Sequence, residues 1–209
     1  MKSKFDQMEW DQHLHLEDIP DIDLYMDQVI QLFEKSYEGS KRNDNDKILT
    51  KTMINNYAKG KLFYPITNKK YSKDHLILIS LIYQLKGTLS IQDIKETLLE
   101  VNEKAAASDL SLPSLYEQYL QLFSQNVEKF KNDLNLHEER VKELGAGSEN
   151  TGLQGDSDQD IDHLQSVLLV LSLVNMSNFY RRAAETLVDQ LGNDRELLNE
   201  KHNEKAPAE

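Results

Sequence analysis

From Tyr116 to Leu144 the large apolar side chains recur at alternating steps of four and three: Tyr116, Leu120, Phe123, Val127, Phe130, Leu134, Val141 and Leu144, with His137 filling the single gap. This is the tightest constraint in the chain. A spacing that averages 3.5 belongs to α-helices packed side by side, and the period of two of a strand cannot satisfy it. About four heptads of coiled-coil seam follow. Two partners fit. A second copy of the chain would make these nine residues the contacts of a homodimer. Alternatively the seam packs within one chain against a last helix expected over 161–191. A polar residue on such a seam, here His137, often sets register or partner number.

The remaining apolar residues also follow helical spacing. Positions 22, 26, 29, 30, 33 and 37 give one face of a helix that starts after Pro20 and stops at Gly39. Thr50 caps a short helix that ends at Gly60, and Ser72 caps "KDHLILISLIYQLK", which stops at Gly87. Ser90 with Asp93 opens a fourth helix along Ile91, Ile94, Leu98 and Val101, and Ser114 with Glu117 opens the long one. "FYPITNKKYS" between helices reads as a short hairpin or wing. The stretch Val167–Met176 is apolar on most sides, so burial is expected there. The fold class is therefore mainly α: a domain over 18–103, a helical dimerisation or effector region over 112–192, and flexible ends at 1–17 and 193–209.

Composition removes several kinds of chemistry. The 209 residues include no cysteine, which excludes disulfides, thiolate metal sites, iron–sulfur clusters and cysteine nucleophiles. No run is apolar and long enough to span a bilayer, and the N-terminus lacks the core of a signal peptide; a cytoplasmic protein without membrane attachment is expected. No phosphate loop, nucleophile elbow or metalloprotease pattern is present, so the chain does not read as an enzyme. Asp156, Asp158, Asp160 and Asp162 have the spacing of a calcium loop, but Ile161 stands where that loop needs glycine, and a solvated capping loop is the better reading. His13, His15 and Glu17 could meet a metal, though nothing local orders them. No metal site and no cofactor are expected.

Charge is partitioned. The chain carries a net charge of −12, yet residues 41–86 hold 10 basic and 3 acidic groups. A basic island in an acidic chain points to a localised anionic partner. Within it, at 100° per residue, Lys51, Thr52, Asn55, Asn56 and Lys59 lie inside an arc of roughly 140°. Leu49, Met53, Ile54 and Tyr57 lie on the other side. A helix with one apolar face and one face of asparagine, lysine and threonine suits the major groove: asparagine pairs bidentately with adenine, and lysine meets guanine or phosphate. Asn68, Lys69, Lys70 and Tyr71 at the wing could reach the flanking backbone. An ordinary solvated face is the plain alternative.

The same stretch resembles a known family. "LTKTMINNYAKGKLFYPITNKKYSKDHLILISLIYQLKGTLSIQDIKETL" is similar to the winged helix-turn-helix of MerR-type regulators: Tyr57, "KGKL", Pro65, "KKYSKDH" and "LSIQDIKETL" fall in the MerR-like order. With "LYMDQVIQLFE" ahead of it, the chain resembles more closely an uncharacterised bacterial family, catalogued as a domain of unknown function and regarded as MerR-like. The resemblance covers about residues 18–100. It implies that Thr50, Lys51 and Thr52 begin the recognition helix, that Asn55, Asn56 and Lys59 face DNA, and that Asn68 to Tyr71 form the wing. MerR-type proteins usually carry arginine and tyrosine where Asn55 and Asn56 stand, so the operator is not implied. The resemblance also implies a homodimer on double-stranded DNA and a role in transcription, with any small-molecule effector unknown. A protein-interaction adaptor that keeps the scaffold but not the DNA is the alternative.

Overall fold

The structure, a computed structural model, describes Phe5, residues 8–146 and residues 158–204. The acidic loop with its calcium-like spacing lies largely outside these residues. The described chain forms two units, one of residues 9–121 with 184–204 and one of Phe5, Met8 and residues 122–146 and 158–183.

The first unit begins with a surprise. Helix was expected from residue 21, but Leu24–Tyr25 is extended as β1, and α1 covers Met26–Ser36. The start is set by Gln28, whose side-chain Oε1 reaches back to accept the Tyr25 N–H at 2.9 Å. β1 pairs antiparallel with β2, Lys70–Tyr71, with Leu24 opposite Tyr71. Strand pairing across 46 residues cannot be read from local periodicity, and it outweighed the helical spacing of Ile22.

α2, Lys51–Lys59, starts where expected: the Thr50 hydroxyl accepts the Met53 N–H at 3.2 Å. α3, Lys73–Leu85, buries His75 to Ser80 without interruption and Ile82 as well, so it is the central helix of this unit. α4, Ile91–Ala106, is opened by the reciprocal Ser90–Asp93 box and buries Ile94 and Leu98, while Ile91 is exposed. α5, Leu112–Ala146, begins two residues before the expected Ser114 cap. α6 runs from Asp158 to Glu204.

Four elements meet at one buried polar knot. Tyr37 and Tyr116 each approach Ser80 Oγ at 2.8 Å, and the Tyr116 hydroxyl donates to the Leu14 carbonyl at 2.7 Å. Leu14, Tyr37 and Tyr116 are at most 1% exposed. The knot corrects two expectations. Residues 9–17 are not a loose end, because Leu14 sits in the core. Tyr116 is not part of a dimer seam: its ring fills the core of this unit, and Leu120 packs against that core too. Residues 193–204 are likewise helical rather than frayed, and Arg195 pairs with Glu96 of α4.

In the second unit α5 and α6 share contacts within the chain. Leu134 and Val141 are buried, and His137 Nδ1 lies 3.0 Å from Ser172 Oγ of α6. Phe123 and Val127 are half-buried, while Phe130 and Leu144 are exposed. The seam around His137 therefore faces the chain's own last helix.

Two buried histidines give the fold a pH dependence. His75 Nδ1 accepts the Ser72 N–H at 3.2 Å, which places the ring proton on Nε2, 3.2 Å from the Tyr64 carbonyl. Burial pushes the pKa of His75 below its ordinary 6.5, and burial does the same to His13. The unfolded chain thus takes up protons near 6.5 that the folded chain refuses. Stability is complete above that value and is lost as pH falls below it toward the depressed folded values. Thermal melts at about pH 7.5 and about pH 5.5 are expected to show a lower midpoint in acid. His75→Gln should shrink the difference; equal midpoints for the wild type would refute the assignment.

Candidate nucleic-acid interface

The apolar side of α2 anchors it. Ile54 is fully buried and Tyr57 nearly so, and Met53 packs against the same core. This fixes the opposite side outward. Lys51, Thr52, Asn55, Asn56 and Lys59 are all exposed, as the 100° wheel requires. Two amides, two ammonium groups and a hydroxyl therefore share one solvent-facing strip, with Thr50 capping its N-terminal end.

The end of α2 differs from the expected glycine stop. Gly60 keeps a right-handed helical conformation, with φ of −71°. The left-handed residue is Lys61, with φ of 55°. Leu62 N–H donates to Tyr57 O at 3.0 Å and Lys61 N–H to Ala58 O at 3.1 Å, the paired bonds of a Schellman motif. Buried Leu62 and Tyr57 supply its usual apolar contact. The outcome is a lysine at a position that normally favours glycine.

The tip at 67–70 repeats this choice. Lys70 N–H donates to Thr67 O at 3.0 Å, and between them Asn68 and Lys69 have φ of 52° and 58°. Two consecutive left-handed residues make a type I′ hairpin turn. Asparagine tolerates that conformation and lysine is strained by it, at about 1 kcal/mol. Asn68 and Lys69 are exposed, and Lys70 is half-buried with its ammonium 5.2 Å from the centre of the Tyr25 ring. The base of the turn is rigid: Asn102 Oδ1 accepts the Tyr64 N–H at 2.8 Å, and the Tyr64 and His75 rings lie 4.3 Å apart. α1 packs against both α2 and β2, so one scaffold carries both basic segments.

Tyr71 has to be removed from the expected set. It is 2% exposed, opposite Leu24 in the strand pair and edge-on to Phe63. The alternation of β2 turns Lys70 outward and Tyr71 inward.

Not every lysine of the island is available. Lys41 is held by Glu34 at 2.7 Å, and Glu34 also accepts the Ile48 N–H. Lys86 donates to the Ile48 carbonyl at 3.1 Å and lies over the Tyr83 ring; burial lowers its pKa. Lys73 meets Asp21 at 3.2 Å. Lys51 meets Asp27 of α1 at 2.8 Å, both side chains well exposed. Exposed pairs of this kind contribute little and exchange readily for another anion. Among the described residues no ion pair holds Lys59, Lys61 or Lys69. Lys61 and Asp27 escaped the sequence reading; the pairing of Leu62 with Tyr57 five residues back was the available hint for Lys61.

His13 and His15, weighed as metal ligands, have ring centres 4.1 Å apart, and His13 is buried beside Asp11. Among the described residues no group of three or more histidines, aspartates and glutamates is arranged to hold a metal. No described helix is long and apolar enough to cross a membrane.

The arrangement defines a class: a small helical domain with one strand pair that displays a polar, lysine-bearing helix and a strained basic turn. Residues 14–119 match the family described as Domain of unknown function (DUF1836), and the chain belongs to that family. The match begins at Leu14, which Tyr116 holds by its hydroxyl, and ends three residues beyond Tyr116. No curated protein and no solved structure matches the chain.

Replacing Lys61 or Lys69 by glycine is expected to raise stability by up to about 0.5 kcal/mol each, the relief of about 1 kcal/mol at positive φ less the entropy of glycine. Urea midpoints measure this. The same variants should bind duplex DNA more weakly. Stabilisation with unchanged binding would mark the two lysines as incidental to any anion partner.

Proposed function

We propose that this protein binds double-stranded DNA with sequence preference and regulates transcription, on a domain of MerR-like, winged helix-turn-helix type. The observation that carries the reading is the outward strip of α2, where Lys51, Thr52, Asn55, Asn56 and Lys59 are jointly exposed on a helix locked by Ile54 and Tyr57. In this reading Asn55 and Asn56 meet base edges in the major groove. Lys51 and Lys59 meet phosphates or guanine, and Lys61, Lys69 and Lys70 meet the flanking backbone. The strained lysines support it, since residues kept in costly conformations concentrate where function demands them.

Electrostatics give the complex an orientation. Outside residues 41–86 the chain is strongly acidic, so approach of DNA through the basic segment is favoured. On docking, Lys51 exchanges the Asp27 carboxylate for a phosphate. A pair of copies would present two α2 helices to a palindromic site.

The test is the salt dependence of binding to random duplex DNA. Each phosphate contact contributes a slope of about 0.9 in log affinity against log salt, so five lysines predict a steep fall. No duplex binding at low salt would overturn the reading and favour the protein-interaction adaptor.

A further inference from the structure

The hydrogen bond between His137 and Ser172 shows which face of α6 meets α5. With Ser172 at zero and 100° per residue, the half-buried Gln165, Leu168, Leu169 and Met176 lie within roughly 60° of it. Val167, Val170, Leu171 and Val174 all lie roughly 100° or more away. They are 41%, 58%, 60% and 53% exposed. The sequence led to the opposite expectation, that this stretch is buried. α6 therefore has two opposed apolar faces, and its own chain covers one. A helix that is apolar all round normally lies in an interior.

We propose that the open face of α6 within Leu164–Tyr180 is where a second copy of this chain packs. Leu164–Tyr180 contains no charged residue, in a chain that is 29% charged. Two copies at −12 repel one another wherever acidic surfaces meet, and this stretch is where they can approach without that penalty. A two-fold contact must be self-complementary; valine and leucine against their own copies, flanked by the neutral, exposed Ser177 and Asn178, satisfy that requirement. The exposed apolar residues run from Val167 to Val174, about 10 Å of helix, and exposed Ser177 and Asn178 extend the same face to about 16 Å. That is the apolar centre of an interface near ~800 Å² per partner, with the adjoining turns as its polar rim. The contact deepens the paired form of the proposed function, yet it stands on α6 alone and is tested without DNA.

Light scattering of the full chain over about 1–100 μM should give about twice 24.2 kDa. Leu171→Lys with Val174→Lys should return it to one chain with unchanged circular dichroism. Because the chain lacks cysteine, Leu171→Cys should form a disulfide-linked dimer on mild oxidation, and the exposed Glu128→Cys should not. A monomer throughout that range, or a dimer untouched by the paired lysines, overturns the proposal. Duplex binding by a monomer would leave the DNA reading standing and remove only this one.

Discussion

Replacing Lys59 and Lys69 together by glutamate is expected to weaken duplex binding by about 100-fold or more at about 0.1 M salt, with the fold intact. At that salt each phosphate contact is worth a factor of about eight, since the slope is about 0.9 per contact. Losing two gives about 60-fold, and reversing their sign adds repulsion. Both side chains are exposed, and no ion pair among the described residues depends on either. Circular dichroism and the urea midpoint should therefore stay near wild type. The salt slope should drop by about two contacts' worth. Asn55→Ala should behave differently, lowering the preference between duplex sequences with little change in slope, because a base contact releases no counterion. Unchanged affinity in the glutamate pair would show that α2 and the 67–70 turn do not face a polyanion.

The second large effect is on stability. Tyr116→Ala should cost about 3–5 kcal/mol, because a fully buried ring leaves a cavity that α3 and α5 cannot close. Domains of this size have about 5–15 kcal/mol in total, so this variant approaches unfolding. Tyr116→Phe keeps the ring and removes only the hydroxyl. It should cost about 1–3 kcal/mol, because the Leu14 carbonyl loses its donor and Ser80 loses a partner inside the core. Hydrogen exchange should also rise first in residues 9–18, which that bond holds to α5. If Tyr116→Phe lies within about 0.5 kcal/mol of wild type, the knot is not what docks the N-terminal segment.

Much of the candidate strip was legible before any coordinates. Thr50 at the cap and the separation of Ile54 and Tyr57 from Asn55, Asn56 and Lys59 follow from 100° per residue and local hydrogen bonding. The same holds for Ser90 with Asp93. Local rules failed where the partner lay far along the chain. Leu24 pairs with Tyr71, which drew residues 24–25 out of a helix and turned Tyr71 inward. Lys61, not Gly60, took the left-handed position because Leu62 reaches back to Tyr57. The heptad pattern fixed that α5 is one long helix but not what its seam touches; Tyr116 went to the core of one unit and His137 to Ser172 in the other.

Sequence alone determined the helical class, the basic island and the two-faced character of α2, because each depends on residue spacing or on charge count. Tertiary structure alone decided that Leu14 is core, that Tyr71 is hidden, that Asp27 meets Lys51, and that one apolar face of α6 stays open. Those outcomes depend on which distant surfaces meet, and the free energy of burial is set by the partner as much as by the residue.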